Sequence, residues 1–331
     1  MRVDRPRSHS AAPKRPGANP EQTPRVVSMG ECMLEIRQQT QSRDKLSAGY
    51  GGDTYNTAYA LAQSSIAVSY LTALGADPRS DELVRQWEQD GVDTSAVQRL
   101  PGRQPGLYWI STDMAGERQF QYWRQASAAT RLLDTPRDTL LQACAGASHV
   151  YLSLITAAIV ADRSGLLDLL RALSTDCSIV YDSNFRPQLW KSTTEALSWH
   201  EQLLALSDIY LPSLDDEMAL YQRPADRALD SLLAHHPQRE LVVRCGGQGA
   251  RLPTESADWQ TIPACEVPVV DSTGAGDAFN GGYLAARLHG QNPTQAARHA
   301  CALAGAVVGH SGALLPRQHP SFSLHNQDRI Q

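Results

Sequence analysis

The residues most capable of chemistry form one short run late in the chain, Asp271-Ser272-Thr273-Gly274-Ala275-Gly276-Asp277. An apolar stretch precedes this run and an amphipathic pattern follows it, so we expect a strand, a glycine loop and then a helix. Backbone N–H groups at such a helix start point outward, the helix dipole favours negative charge, and glycine lets an anion approach the backbone. The run therefore predicts a phosphate-binding loop formed by Gly274, Ala275 and Gly276.

Asp277 stands where the phosphate would gather, and two interpretations of its carboxylate are equally open on this pattern. It can be a general base that takes the proton of a substrate hydroxyl as that hydroxyl attacks a phosphoryl group. It can also be an N-cap residue, which is one of the commonest uses of aspartate. The loop lacks the G-K-[ST] of a Walker A motif, and Phe279 stands where a dinucleotide fingerprint has its third glycine.

An early glycine pair, Gly51-Gly52, is followed by Asn56. Bare backbone lets a polyol approach closely, and the Asn56 amide can both donate and accept hydrogen bonds to hydroxyl groups. Asp53 is expected to cap a helix that the apolar spacing predicts through Gln63. Taken alone, the pattern also fits any turn that leads into a capped helix.

Alternating strand and helix signals position these residues. Short apolar runs predict strands at residues 26–30, 69–74, 150–152, 178–182, 209–211, 241–243 and 267–270. Amphipathic stretches predict helices between them and two last helices, from Asp277 to about Leu288 and from Pro293 to about Val308. Apolar alternation around a turn at residues 113–117 predicts a hairpin over residues 106–124. The pattern predicts an α/β fold with a mostly parallel central sheet flanked by helices.

Composition indicates a globular protein rather than a nucleic-acid-binding or membrane protein. The 331 residues are 42% hydrophobic and have a net charge of −5. This value includes a basic N-terminus, so the rest of the chain is more acidic than −5. No run is long and apolar enough to cross a bilayer, and the N-terminus does not read as a secretory signal. We expect a disordered tail at residues 1–24, a domain over 25–318 and a C-terminal tail at 319–331. Six scattered cysteines without a C-x-x-C motif indicate reduced thiols in a cytoplasmic protein.

The two glycine motifs carry a family resemblance. Asp271 to Gly282 resembles the D-[ST]-T-G-A-G-D-x-F-x-G-G signature of the ribokinase-like (PfkB) carbohydrate kinases, and the Gly51–Asn56 segment resembles their early glycine–asparagine motif. The resemblance implies a ribokinase-like fold with a small β-sheet lid, here from about residues 36–51 and 101–125. It also implies that Asp277 is the catalytic base, that the Gly274–Gly276 backbone holds the transferring phosphoryl group, and that the protein uses ATP and Mg²⁺ and forms a homo-oligomer.

Further segments resemble the 2-keto-3-deoxygluconate kinases of this family, among them residues 30–35, 52–57, 105–108, 120–124 and 182–190. In those kinases a tyrosine–arginine set contacts the substrate, which implies this role for Tyr108, Tyr122 and Arg124. Arg186 resembles the arginine that lies between sugar and phosphates. An arginine is also the natural bidentate partner for the carboxylate of a sugar acid. The other implied sugar contacts are Gly51, Gly52, Asn56 and Asp277.

The segment from Val242 to Gly249 resembles the strand and turn that hold ATP in the family. This implies nucleotide contacts for Arg244, Gly246 and Gly249, in addition to Gly274 and Gly276. Many members have N-x-x-E near the metal; Leu214 stands where we expect the asparagine, and Glu217 keeps the glutamate. We therefore expect Glu217 to act on Mg²⁺ indirectly, through water. The acidic residues 215–217 equally fit a helix N-terminus that complements its dipole.

The combined expectation is ATP-dependent phosphorylation of 2-keto-3-deoxy-D-gluconate at its C6 hydroxyl, giving 2-keto-3-deoxy-6-phosphogluconate. Two alternatives remain open. A kinase for another sugar, such as fructose or ribose, would leave Arg124 without a carboxylate partner. A catalytically silent sugar sensor would share the fold, but the intact glycine loop and Asp277 argue against it.

Overall fold

The computed structural model describes residues 24–39, 42–112, 118–235 and 239–324. Most of the two expected tails and the expected turn at 113–117 lie outside these ranges. The strands are β1 Arg25–Met29, β2 Met33–Gln39, β3 Ser42–Gly51, β4 Ala67–Leu71, β5 Ala73–Gly75, β6 Gln98–Leu100, β7 Leu107–Thr112, β8 Arg118–Trp123, β9 His149–Ser153, β10 Ser178–Asp182, β11 Ile209–Tyr210, β12 Glu240–Leu241, β13 Val243–Arg244, β14 Ala250–Pro253 and β15 Trp259–Ile262. The helices are α1 Asp53–Gln63, α2 Pro78–Gln89, α3 Arg137–Ala143, α4 Leu154–Ile159, α5 Arg163–Leu173, α6 Thr193–Leu206, α7 Leu214–Tyr221, α8 Ala225–His235, α9 Ala275–Leu288 and α10 Pro293–Val308.

The central sheet has six strands in the order β12-β11-β10-β9-β1-β4, and every neighbouring pair is parallel. Its two faces pack against different helices, because successive side chains of a strand point to opposite sides. Val180 joins a core cluster with residues of α1, α9 and α10, whereas Ile179 and Tyr181 join a cluster with residues of α5 and α6. Helices thus cover both faces, which confirms the predicted α/β fold with a parallel sheet.

A second sheet has the strand order β3-β2-β7-β8. Strand β2 is antiparallel to β3 and parallel to β7, and β7 is antiparallel to β8. The β7–β8 pairing of Leu107 with Trp123 and of Tyr108 with Tyr122 confirms the predicted hairpin. Smaller sheets are formed by β13-β14-β15 and by β5 with β6.

The predicted strand at Val267–Val270 is wrong. Residues 263–270 have no regular secondary structure, and Val269 and Val270 are 76% and 53% exposed. Pro268 lacks the N–H group that a strand ladder requires, so an apolar composition alone does not make this segment a strand. The segment nevertheless leads into the glycine loop, because Val270 N and Asp271 N both donate to Val308 O at the end of α10.

Helix α9 packs closely against α1 and α10. A Cβ atom at Gly281 would lie 2.5 Å from Ala60 Cβ and 2.9 Å from Thr57 O, so α1 could not approach this closely if residue 281 had a side chain. The close packing brings the first turn of α9 next to the first turn of α1. In the part of the chain that the structure describes, no helix is both long and apolar enough to cross a membrane.

Candidate active site

The early and late glycine motifs meet at the first turns of α1 and α9. Asn56 Nδ2 donates a hydrogen bond of 2.8 Å to Asp277 Oδ2, and Thr57 Oγ1 donates one of 3.2 Å to Asp277 O. Residues more than 200 positions apart therefore form one site. The sequence identifies both motifs, but it does not show that they are in contact.

Asp277 does not cap helix α9. The helix begins at Ala275 with Gly274 as its N-cap residue, and no described side chain caps it. The Asp277 carboxylate faces Asn56 instead, so the N-cap interpretation is wrong. Burial, and next the charge of Asp53, raise the pKa of Asp277 to about 7. A carboxyl group with such a pKa can take up a proton near neutral pH.

The glycine loop turns sharply into the start of α9. Gly274 has φ 79°, a left-handed conformation that other residues rarely adopt, and a Cβ there would lie 2.6 Å from Ala313 Cβ. Ala278 N donates to Gly274 O and Ala275 N donates to Ser272 O. Because no described side chain caps this helix start, the N–H groups of the first turn after Ala275 can bind an anion.

Asp53 is a second carboxylate at this site, and we had expected it only to cap α1. The N-cap residue is Gly52, and no described side chain makes a cap hydrogen bond there. The Asp53 carboxylate instead accepts hydrogen bonds from Ser153 Oγ and, over 3.1 Å, from Asn184 Nδ2. Burial raises the pKa of Asp53, and the charge of Arg124 opposes this rise. The sequence feature that points to Asp53 as a site residue is its position between Gly52 and Asn56.

Arg244 holds the glycine loop through its guanidinium group. Its Nη1 donates to Gly276 O over 3.0 Å, and its Nη2 pairs with the buried Asp182 at the end of β10. Asn280 Nδ2 donates to the other oxygen of Asp182 over 2.8 Å. Two nitrogens of Arg244 are thus bonded to protein atoms beside Asp277, where its charge opposes the rise of the pKa of Asp277.

The expected tyrosine–arginine set lies on the four-stranded sheet. The rings of Tyr108 and Tyr122 are 6.1 Å apart; Tyr108 is buried, whereas Tyr122 is 46% exposed. Arg124 forms an ion pair of 2.5 Å with the buried Glu31. Burial raises the pKa of Tyr122, while the nearby charges of Arg186 and Arg124 oppose this rise.

The remaining predicted sugar contacts surround the same region. A Cβ at Gly51 would lie 2.7 Å from Tyr108 Oη and 3.4 Å from Asn56 Oδ1, so bare backbone separates these two polar groups. Gly52 N donates to Asn56 Oδ1 over 3.4 Å. Arg186 is 48% exposed, and its Nη1 donates to Phe185 O and lies 3.9 Å from Asp216 Oδ1. Its exposed charge is available to an anionic ligand.

Of the predicted nucleotide residues, Gly246 begins the short 3-10 turn Gly246–Gln248 and Gly249 directly follows it. A Cβ at Gly246 would meet no described atom within 4 Å. A Cβ at Gly249 would collide with the backbone at Ile262 and Pro263. The structure therefore explains Gly249 by chain packing, whereas Gly246 offers open backbone.

Comparison with known proteins identifies the family. A model of the pfkB family carbohydrate kinases matches residues 23–320. The chain belongs to the pfkB family of carbohydrate kinases. It is 37% identical to the 2-dehydro-3-deoxygluconokinase of Dickeya dadantii over 306 residues, which cover 89% of this chain and 97% of that protein. It is 36% identical to the enzyme of the same name from Escherichia coli K12, over 89% of this chain and 98% of the relative.

Solved structures of two fructokinases share the fold at lower identity. The fructokinase of Vibrio cholerae, solved with fructose, ADP and a calcium ion, superposes with a TM-score of 0.77 at 21% identity, over 88% of this chain and 94% of that one. The fructokinase of Xylella fastidiosa, solved with ATP, gives a TM-score of 0.74 at 23% identity over the same shares. These likenesses establish the ribokinase-like fold.

Glu217, the acid expected to act on Mg²⁺, and its neighbour Asp216 have different surroundings in this pfkB kinase. Glu217 is buried, accepts a hydrogen bond from Tyr210 Oη, and lies 3.7 Å from His200 Nε2. Asp216 instead accepts a 2.9 Å hydrogen bond from Ser183 Oγ and neighbours Arg186. Adjacent helix residues point about 100° apart, so Glu217 and Asp216 lie on different sides of α7.

The surroundings of Asp216 fit a Mg²⁺ ion that is bound by one carboxylate together with substrate phosphates. No three His, Cys, Asp or Glu side chains of the described ranges cluster as a complete metal site. Mg²⁺ commonly uses one or two carboxylates together with waters and substrate phosphates. Asp216 supplies one such hard oxygen donor on the side of α7 that faces Arg186.

Proposed function

We propose that this kinase transfers the γ-phosphoryl group of ATP to the C6 hydroxyl of 2-keto-3-deoxy-D-gluconate. The 2.8 Å contact between Asn56 Nδ2 and Asp277 Oδ2 carries the proposal. It joins a turn suited to a polyol to a carboxylate beside an anion-binding backbone. The names of the D. dadantii and E. coli relatives supply the substrate.

In this proposal Asp277 is the general base. Its carboxylate accepts the C6 hydroxyl proton while the C6 oxygen forms a bond to the γ-phosphorus. The bond from that phosphorus to the bridging oxygen breaks, and its electron pair leaves with ADP. The hydrogen bond from Asn56 fixes the orientation of the Asp277 carboxylate. A pKa of about 7 makes this carboxylate more basic than an ordinary aspartate.

The Gly274, Ala275 and Gly276 backbone stabilises the charge on the transferring group in this mechanism. Its N–H groups are fixed before the reaction, because α9 is packed and Gly276 O is held by Arg244. The Arg244 cation acts through the loop, and Gly246 lies open to the nucleotide. Asp216 would hold Mg²⁺ through water, and the ion, when bound, neutralises charge on the β- and γ-phosphates.

The substrate carboxylate is assigned to Arg124, with Tyr108, Tyr122 and the exposed Arg186 around it. The Arg124–Glu31 ion pair keeps the guanidinium in one orientation. A carboxylate ligand would complete the hydrogen bonding of this group, since a guanidinium has five N–H donors. A neutral sugar would lack this interaction.

The test is an ADP-release assay with MgATP across a panel of sugars and sugar acids, with the product located by ³¹P–¹H NMR. We expect turnover with 2-keto-3-deoxygluconate and a phosphate ester at C6. Preferred turnover of fructose or ribose would support a different sugar kinase. Binding of a sugar without ADP formation would support the silent sensor.

We further propose that the reaction takes place in the cytoplasm. The six cysteines, all within the described ranges, carry free thiols, and Cys32, Cys144, Cys177 and Cys301 are buried. This agrees with a reducing compartment. Fractionation of cells that express the protein, followed by immunodetection, tests this placement.

A further inference from the structure

Arg37 connects the four-stranded sheet with the glycine loop. Met33, Glu35 and Arg37 lie on one face of β2, because alternate side chains of a strand share a face. Arg37 Nη1 lies 3.1 Å from Asp271 Oδ2 and 3.4 Å from Ser311 Oγ. The Arg37 side chain is 17% exposed, and that of Asp271 is fully buried. The ion pair therefore joins two parts of the site that are 234 residues apart.

Asp271 fixes the start of the glycine loop through hydrogen bonds to two backbone N–H groups. Its Oδ1 accepts from Thr273 N over 3.0 Å, and its Oδ2 accepts from Gly312 N over 2.8 Å. The segment after Gly312 also packs on the loop, because Ala313 lies against Gly274. A movement of the Asp271 carboxylate would thus be transmitted to both sides of Gly274.

Arg37 is also connected to the sugar side of the site. Its Nε lies 3.1 Å from Glu35 Oε1, and Glu35 Oε2 accepts a 2.5 Å hydrogen bond from Tyr108 Oη. Glu35 and Tyr108 are paired in register on β2 and β7. The polar chain Tyr108–Glu35–Arg37–Asp271 consequently runs from a proposed sugar contact to the phosphate loop.

We propose that Arg37 is a positioning residue. It fixes the position of the glycine loop relative to the sugar pocket and so couples sugar binding to nucleotide binding. It touches neither substrate; it acts through Asp271 and Glu35. The inference rests on the proposed role of the glycine loop in phosphoryl transfer. An arginine suits this place because its fork can contact two carboxylates at once, which a lysine ammonium does less well.

The experiment compares wild type with Arg37→Gln, Arg37→Lys, Glu35→Gln and the Glu35→Gln/Arg37→Gln double variant. Isothermal titration measures the affinity for a non-hydrolysable ATP analogue with and without saturating sugar, and initial rates give kcat and both KM values. Arg287→Gln is the matched control: it breaks the partly buried ion pair of Arg287 with Glu240 at the far end of α9.

We expect sugar to tighten nucleotide binding in wild type and in Arg287→Gln, and not in Arg37→Gln. The kcat of Arg37→Gln should fall by about 10- to 100-fold, because small displacements of a reacting group have effects of this size. Arg37→Lys should be intermediate. The double variant should lose no more than the worse single variant, since the chain acts as one unit.

A purely structural role predicts another pattern. The Arg37 variants would then lose thermal stability to the same extent as Arg287→Gln, while folded protein kept wild-type coupling and kcat; this result would overturn the proposal. So would an absence of coupling in wild type itself. The titrations use whichever sugar wild type phosphorylates or binds, so the proposed substrate can fail while the role of Arg37 stands.

Chemical rescue gives a second readout. In Arg37→Ala, a few millimolar guanidinium should restore part of kcat by occupying the space between Asp271 and Glu35. Tetramethylammonium at equal ionic strength is too large for this space and should not. Equal effects of the two salts would contradict the assignment of a cation at this point.

Discussion

Asp277 and Asp53 lie in the first turns of two packed helices, and the negative charge of Asp53 contributes to the raised pKa of Asp277. A general base acts only in its deprotonated form. We therefore expect kcat/KM to rise with pH through about 7, the pKa of Asp277, and to level off above it. Pre-steady-state or initial-rate pH profiles at fixed MgATP measure this acid limb.

Asp53→Asn removes a neighbouring negative charge, so it should lower the pKa of Asp277 and move the acid limb to lower pH. The maximal kcat/KM of this variant can also fall, but the pH at which kcat/KM rises reports the charge effect. Asp168→Asn, at a side chain that is 60% exposed, is the control and should leave the limb in place. An unshifted limb in Asp53→Asn would contradict the coupling of the two carboxylates.

Arg124 is the residue that should distinguish an acidic sugar from a neutral one. Arg124→Gln alone would leave Glu31 as a buried, unpaired charge, so the informative variant is Glu31→Gln/Arg124→Gln compared with Glu31→Gln. We expect the double variant to raise KM for 2-keto-3-deoxygluconate by about 10- to 100-fold, the loss of one charged hydrogen-bonding partner. KM for neutral sugars should hardly change. Equal KM values of the two variants for the acid would remove Arg124 from the substrate site.

At the scale of elements, the approach of α1 to α9 holds Asn56 against Asp277. Gly281→Ala would place a methyl group 2.5 Å from Ala60 Cβ, and we expect a loss of about 1–3 kcal/mol in the free energy of unfolding together with a lower kcat. Urea denaturation and initial rates measure the two effects. Gly309→Ala, whose Cβ would meet its nearest atoms at 3.7 Å, should change neither. If both variants behaved alike, the close helix contact would not position the site.

Element types could be predicted from the sequence wherever periodicity and local chemistry agree. Alternating strands and helices gave the parallel sheet, and the β7–β8 hairpin followed from apolar alternation around a turn. The segment at Val267–Val270 failed because composition indicated a strand while Pro268 removed a backbone donor. An apolar composition favours a strand, but a strand forms only where the backbone N–H and C=O groups can pair with a neighbouring strand.

The site could be predicted in part, because motifs name residues but not their orientations. Asn56 and Asp277 were both identified from glycine motifs, yet only the folded chain brings them to 2.8 Å. Asp216 and Glu217 are adjacent in the sequence, and because a helix turns each side chain by about 100° from the last, only the structure shows that Asp216 is the one near Arg186. Arg37 has no local motif at all, since its partner Asp271 lies far along the chain.

At the scale of the whole molecule, the four-stranded sheet has an apolar face, opposite to the face on which Tyr108 lies. Ile36 pairs with Trp109, and Leu107 pairs with Trp123, whose side chain is 56% exposed. We expected a homo-oligomer from the family resemblance, and a second copy of the chain would cover this face.

Trp123→Glu should therefore shift the protein to a smaller species in size-exclusion chromatography with light scattering, because a charge there opposes burial. Val269→Glu, at another exposed apolar residue, is the control and should keep the wild-type mass. A monomeric wild type, or an unchanged mass of Trp123→Glu, would contradict assembly through this face.

The central claim is that Asp277 takes the proton of a hydroxyl of 2-keto-3-deoxygluconate. The most direct measurement is ADP release from MgATP by wild type and by Asp277→Asn with this sugar, with sugar binding by the variant followed calorimetrically. We predict turnover by wild type and a loss of about 10²- to 10⁴-fold in the variant. The variant should bind the sugar and be at least as stable, because it lacks a charge that burial and Asp53 disfavour. Near-normal turnover by Asp277→Asn, or no turnover by wild type, would contradict the claim.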